Sequence, residues 1–243
     1  MDVLISILIW TMDIILTVIL FLIEAVLTIA TYPFDKKRKL IHAQCFWWSD
    51  IVIGMNPKWH LEVKGLENID PNQAYVAVAN HLSLADIIVM YQTRMQFKWV
   101  AKESLFKLPF VGWCLSLSKH IRITRGEFGS IKKVYRAAAE WLREDISVMF
   151  FPEGTRSETG EMLEFQNGPF KLAIKEKRPV LPIVITGTSE AIPKGGWVLT
   201  TNVSVTLAVL PPVDTSGYKP GDFAELRDLV KRKMTEEQGI DED

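Results

Sequence analysis

Cysteine is nearly absent from these 243 residues: Cys45 and Cys114 are the only two. Both stand in apolar, tryptophan-rich stretches without metal-ligand spacing, which reads as buried free thiols in a reducing compartment. Histidine is scarce too, and His42, His60, His81 and His120 form no i, i+4 pair, so a zinc site lacks its ligands and no metal is expected. No G-x-S-x-G occurs, which removes the nucleophile elbow of a serine hydrolase. An excess of either charge is also missing. The 28 Lys plus Arg against 29 Asp plus Glu are too even for the broad basic field of a nucleic-acid partner, so an anion must be held by a local cluster. No repeat or low-complexity tract is present, and the length suits one sizeable α/β domain.

What the chain does have is a long apolar opening. Residues 3–30, as a helix, run roughly 42 Å, more than the ~30 Å hydrocarbon core of a bilayer. A signal peptide fits poorly, because no basic region precedes the stretch and no small-residue cleavage site follows it. Asp2, Asp13 and Glu24 recur every eleven residues, as do Ser6, Thr17 and Thr28. At about 100° per residue the six fall within an arc of roughly 80°, a polar stripe that must face protein or headgroups. A lipid-exposed Asp13 would cost about 3 kcal/mol, against about 0.3 to 0.6 kcal/mol returned by each Leu, Ile, Val or Phe, so insertion still wins. The basic run Asp35-Lys36-Lys37-Arg38-Lys39 then suits anionic headgroups on the cytoplasmic side of the cell membrane. Beyond it Ile41, Cys45, Trp48, Val52 and Met55 share helical spacing, with His42, Gln44, Ser49 and Asp50 turned elsewhere: an amphipathic helix in the interface. The two helices, residues 1–57, either form a membrane hairpin that dips into one leaflet or include a full span.

From residue 58 to 243, short apolar runs alternate with helix-period stretches, which predicts a mixed, mostly parallel sheet flanked by helices. Strands are expected at 75–79, 97–101, 120–124, 146–151, 181–186 and 203–209, and helices at 84–92, 109–118, 130–144, 169–177 and 222–238. His81, Arg125 and Glu153 each follow a strand. If those strands are parallel, three loops meet at the carboxyl edge of the sheet, where open α/β sheets hold ligands.

The first loop reads Asn80-His81-Leu82-Ser83-Leu84-Ala85-Asp86. In a regular helix His81 and Asp86 would diverge by about 140° and could not pair. Ser83 to Asp86 matches a capping box, which leaves His81 outside the helix and lets its ring fold back onto the carboxylate. An Asp that accepts from one ring nitrogen fixes the tautomer and frees the other nitrogen as a general base. The second loop, Phe151-Pro152-Glu153-Gly154-Thr155-Arg156-Ser157, sets a carboxylate and a guanidinium three apart on a turn shaped by Pro152 and Gly154. Glu153 suits substrate hydroxyls and Arg156 suits a phosphate.

Together these boxes resemble the N-H-x4-D and F-P-E-G-T-R-S motifs of the glycerolipid acyltransferases, and among them the 1-acylglycerol-3-phosphate acyltransferases, over residues 59–212. The order and separation of two uncommon motifs make the resemblance specific. It implies an α/β acyltransferase in which His81 and Asp86 are catalytic, and it carries the acceptor's glycerol to Glu153, with Gly154 and Thr155 in the same box. Arg125, ending His120-Ile121-Arg122-Ile123-Thr124-Arg125-Gly126, and Lys102 match further family positions and would join Arg156 around one phosphate. The strand Val180-Leu181-Pro182-Ile183-Val184-Ile185 resembles a fourth motif; its proline suggests a sheet edge or a bulge that shapes the substrate channel. Thr124 and Gln166 depart from the usual acidic and basic residues.

The implied reaction moves an acyl group from acyl carrier protein or coenzyme A, as co-substrate, to lysophosphatidic acid within membrane phospholipid. It needs no cofactor and no covalent acyl-enzyme. Another acceptor, such as glycerol-3-phosphate or an amino-acid lysolipid, and a non-catalytic phospholipid-binding module are the competing readings.

Overall fold

The structure, a computed structural model, describes residues 2–124, 128–192, 196–200 and 202–239. Two helices come first, α1 (Asp2–Ala30) and α2 (Lys39–Gly54). Strands and helices then alternate: β1 (Trp59–Lys64), β2 (Val76–Ala79), α3 (Ala85–Met90), β3 (Phe97–Lys102), α4 (Glu103–Phe106), α5 (Val111–Leu117), β4 (Ile121–Ile123), α6 (Phe128–Arg143), β5 (Ser147–Phe150), α7 (Gly168–Glu176), β6 (Val180–Thr186), α8 (Thr188–Ala191), β7 (Val203–Val209) and α9 (Phe223–Gln238).

The seven strands form one sheet in the order β1-β7-β6-β2-β5-β3-β4. Every neighbouring pair is parallel except β6 and β7. The six expected strands and five expected catalytic-domain helices are all present with ends shifted by a residue or two. β1, α4 and α8 are additions. β1 is an edge strand whose side chains alternate between half-buried and exposed, so its Trp-His-Leu-Glu-Val-Lys sequence lacks the continuous apolar run of a central strand.

β2 sits mid-sheet, with Val76 opposite both Val148 of β5 and Val180 of β6. Its four residues are all buried, because both faces are covered. Val76 and Val78 pack with Val134, Leu142, Phe170 and Val230 of α6, α7 and α9. Ala77 and Ala79 face the other way, toward Cys45 of α2, Val89 of α3 and, at the margin, Ile9 and Trp10 of α1. The core of the catalytic domain thus extends across residue 57 into the first two helices.

Pro182 is not at a sheet edge. It lies in β6, between two partners, opposite Val78 of β2. The antiparallel ladder to β7 stops at the pair Ile183–Val209, and an isolated bridge joins Val180 to Val213 beyond it. Proline, which has no N–H to give, stands in that gap.

From Ser6 to Thr28 the polar stripe of α1 faces protein; the Asp2 side chain lies outside the described residues. Ser6 and Glu24 are fully buried and Asp13, Thr17 and Thr28 partly so, whereas Leu4, Leu8, Val26 and Ile29 on the far side are exposed. Contacts with the catalytic domain run along the helix: the Leu199 N–H donates to Ser6 Oγ (2.8 Å), Trp10 Nε1 donates to the Trp197 carbonyl (2.7 Å), and Phe21 packs on Trp113 and Phe110. From Ser6 to Phe21 these span about 22 Å of helix. The turn that follows is tied down as well. Asp35 accepts from the N–H groups of Lys39 and Leu40 at the start of α2, Lys37 Nζ reaches the Glu144 carbonyl, and Lys98 Nζ reaches the Lys37 carbonyl. Of the basic run, Lys36 and Lys39 are left exposed.

α2 departs from the expected interfacial helix. His42, Gln44 and Ser49 are buried along with Ile41, Cys45 and Val52, so its polar side faces the domain. Ser49 Oγ donates to the Ile88 carbonyl and receives Gln92 Nε2, which accounts for its burial. His42 has no such partner: neither ring nitrogen is hydrogen-bonded, and Phe97, Tyr91, Phe46 and His120 surround the ring. Of the thiols, Cys45 is buried and Cys114 half-buried, and both are free.

Burial, with the nearby Lys98 charge, holds His42 down to about 3. A histidine depressed in the fold contributes stability that is complete above its unfolded value near 6.5 and lost as pH falls toward 3. His42→Phe should therefore raise the melting temperature at pH 5 by more than at pH 8. His120, also held well below its usual range by burial, contributes to the acid slope in the same direction. Equal shifts at the two pH values would contradict this assignment.

Candidate active site

β2 and β5 are adjacent and parallel, so the loops leaving their carboxyl ends lie side by side. The first carries His81 and Asp86, the second Glu153 to Arg156. His81 stands outside α3, which begins at Ala85, and its Nδ1 lies 2.7 Å from Asp86 Oδ2. The same oxygen accepts the N–H groups of Leu82 (2.7 Å) and Ser83 (2.9 Å). The chain has turned around the carboxylate, which is why residues five apart meet. Both sides of the cap are used: Asp86 takes the Ser83 N–H, while Ser83 Oγ accepts the Ala85 N–H at 3.3 Å and donates to the Ile192 carbonyl at 2.8 Å. Asp86 is fully buried and the His81 side chain is 15 % exposed, so the dyad has one dry end and one open end.

The second loop holds the first from beneath. Glu153 Oε1 accepts the main-chain N–H of His81 (2.7 Å) and Oε2 that of Leu163 (2.9 Å). In return the His81 carbonyl accepts the Ser157 N–H at 2.8 Å. The expected acceptor of substrate hydroxyls is thus buried, with each oxygen already engaged by the protein's own backbone. Burial raises Glu153 to about 7 against the opposing pull of those two N–H groups. Phe151 of the same box stacks under the imidazole, with ring centroids 3.9 Å apart and planes 11° from parallel, and Trp99 continues the stack. Neither Glu153's grip nor the Phe151 floor was apparent from the sequence, where the box showed only its charges.

Gly154, at φ 72°, makes the turn that only glycine adopts freely, and leaves Thr155 exposed and Arg156 half-buried. Lys102 ends β3 at the same sheet edge and is exposed. Arg125 lies outside the described residues. Of the expected site, His81, Asp86 and Glu153 are joined by direct hydrogen bonds, with Gly154, Thr155 and Arg156 on the adjoining turn.

The acyltransferase family profile matches residues 60–186, which take in both loops. This chain is an acyltransferase-family protein. Among its relatives, the chloroplastic 1-acyl-sn-glycerol-3-phosphate acyltransferase of Brassica napus is 31 % identical over 74 % of this chain and 52 % of its own length. The 1-acyl-sn-glycerol-3-phosphate acyltransferase of Pseudomonas aeruginosa is 31 % identical over 78 % of this chain and 72 % of its own. The chain spans about half the length of several plant and algal acyltransferases it matches. A crystal structure of the 1-acyl-sn-glycerophosphate (LPA) acyltransferase of Thermotoga maritima superposes with a TM-score of 0.75 at 28 % identity, covering 95 % of this chain and 96 % of that one.

Glu153 provides a test of how the acyltransferase boxes are joined. Glu153→Gln keeps an oxygen for one N–H and leaves the other without an acceptor, which should destabilise the fold by about 1–3 kcal/mol. A carboxyl raised in the fold contributes stability that is complete below its unfolded value and lost as pH climbs through about 7. The stability gap between wild type and Glu153→Gln, from denaturant titrations, should therefore narrow between pH 5 and pH 8. A variant as stable as wild type throughout would mean that Glu153 serves substrate alone.

Proposed function

We propose that the chain is a 1-acyl-sn-glycerol-3-phosphate acyltransferase, moving a fatty acyl group from acyl carrier protein or coenzyme A to the sn-2 hydroxyl and giving phosphatidic acid. The observation that carries this reading is the 2.7 Å contact between His81 Nδ1 and buried Asp86. It leaves Nε2 at the open end of the dyad. Nε2 removes the hydroxyl proton as the oxygen attacks the thioester carbonyl. The C–S bond breaks, and the imidazolium returns the proton to the leaving thiolate. No acyl-enzyme forms, and no cofactor takes part. Asp86, kept out of water, favours the charged imidazolium as it develops.

Lys102, Arg125 and Arg156 hold the acceptor phosphate as charge-assisted donors. Gly154 and Thr155 bring the turn to the acceptor's glycerol, while Glu153 acts from beneath through the His81 backbone. Residues 1–57 form the membrane module of an enzyme on the cytoplasmic face of the cell membrane, with residues 58–243 as its catalytic domain. A helix held along its length against the domain, with its apolar side outward, supports a hairpin that enters one leaflet. The lysolipid's chain then stays in lipid while its hydroxyl reaches His81. A non-catalytic lipid-binding module has no use for a buried carboxylate aimed at an imidazole.

His81→Ala should lower kcat for transfer to lysophosphatidic acid by about 10²- to 10⁴-fold without loss of folding or of membrane association. His81→Phe, which can keep the stack on Phe151, should be equally inactive. A product-mass assay across lysophosphatidic acid, glycerol-3-phosphate and amino-acid lysolipids scores both the base and the acceptor. Near-normal transfer by either variant would overturn the assignment.

A further inference from the structure

Asp86 has four hydrogen-bond partners, and three of them meet one oxygen. Oδ2 takes His81 Nδ1 and the N–H groups of Leu82 and Ser83; Oδ1 takes Thr188 Oγ1 at 2.5 Å. A turn about the Cβ–Cγ bond, a terminal torsion with broad minima, moves both oxygens together, so a donor on Oδ1 resists it alongside the donors on Oδ2. A ring N–H prefers an acceptor whose plane contains the hydrogen, so a second anchored point decides how well Nδ1 is met. Thr188, itself fully buried, is that point.

The chain goes to some length to bring it there. Asn80, at the end of β2, bonds the Ile185 carbonyl through Nδ2 and the Ile185 N–H through Oδ1, both at 2.8 Å, which extends the pairing of β2 with β6 by a side chain. Two residues later Gly187 has φ 82°, and a Cβ there would lie 1.9 Å from the Ser204 carbonyl oxygen of β7. Only glycine makes that exit from β6, and Thr188 follows it as the first residue of α8. Just past α8, the Ile192 carbonyl accepts Ser83 Oγ. Residues 188–192 are therefore fastened at both ends to the loop they support.

We propose that Thr188 is a positioning residue for the dyad: its hydroxyl sets the plane of the Asp86 carboxylate, so that Oδ2 stays in line with His81 Nδ1. This rests on the reading of His81 as the general base. It also gives the fourth sequence motif, the strand with the internal proline, a task in orienting the base.

The test compares Thr188→Val, which keeps shape and removes the donor, with Thr188→Ser, which keeps the donor. Losing a hydrogen bond to a charged group should lower kcat by about 10- to 100-fold in Thr188→Val, with KM for acceptor and thioester unchanged, and Thr188→Ser should retain the rate. The His81 Nδ1 proton resonance should lie downfield in wild type and Thr188→Ser and move upfield in Thr188→Val. If Thr188→Val does not fold, Thr188→Ala provides the same comparison. An unmoved resonance with a wild-type kcat would overturn the proposal, as would a loss that Thr188→Ser shares. The resonance needs no turnover. Wild-type protein silent on every acceptor would refute the proposed function and still leave Thr188 to be decided by that signal.

Discussion

A carboxylate sealed from water needs donors on both of its oxygens, because an unpaired buried charge is among the most costly defects a fold can carry. Asp86 meets that need with one imidazole, two main-chain N–H groups and one hydroxyl. Each of these demands constrains a different stretch of chain. The main-chain donors bend residues 81–83 around the carboxylate before α3 can start. The hydroxyl calls for β6 to end in a glycine turn. The imidazole is left with one nitrogen committed and the other at the open end.

Glu153 repeats the device one loop away. It too is buried, and it too collects N–H groups from loop backbone, one of them from His81. The two boxes act as a single structural unit because β2 and β5 are parallel neighbours and release their loops side by side. A change in strand order would separate them. Phe151 contributes from the same register, setting an aromatic floor under the imidazole just before the chain turns to Glu153.

Much of this was legible in the residues. The pairing of His81 with Asp86 followed from a capping argument, since a Ser-to-Asp box places the histidine ahead of the helix. The eleven-residue stripe of α1 had to meet protein or headgroups, and Ser6 and Glu24 are buried against protein. What stayed hidden were contacts made to backbone or across long separations. Glu153 looked like a ligand for substrate, because nothing in a sequence marks a side chain that accepts a main-chain N–H 72 residues away. Thr188 fell outside every expected element and lies 102 residues from its partner. The polar residues of α2 suggested a wet face, yet the domain covers His42, Gln44 and Ser49 and leaves Asp50 exposed. β1 escaped notice because an edge strand alternates instead of running apolar.

Everything proposed for the chemistry turns on which ring nitrogen of His81 carries the proton. The direct measurement is the pair of ¹⁵N chemical shifts of the His81 ring, in full-length protein in detergent, at a pH where the imidazole is neutral. The account predicts a protonated Nδ1, bound to Asp86, and an unprotonated Nε2 ready to accept the acceptor's proton. In Asp86→Asn the amide can offer its own N–H to Nδ1, and the shifts should exchange. A neutral wild-type ring with its proton on Nε2 would contradict the account, because that nitrogen could not then act as the base.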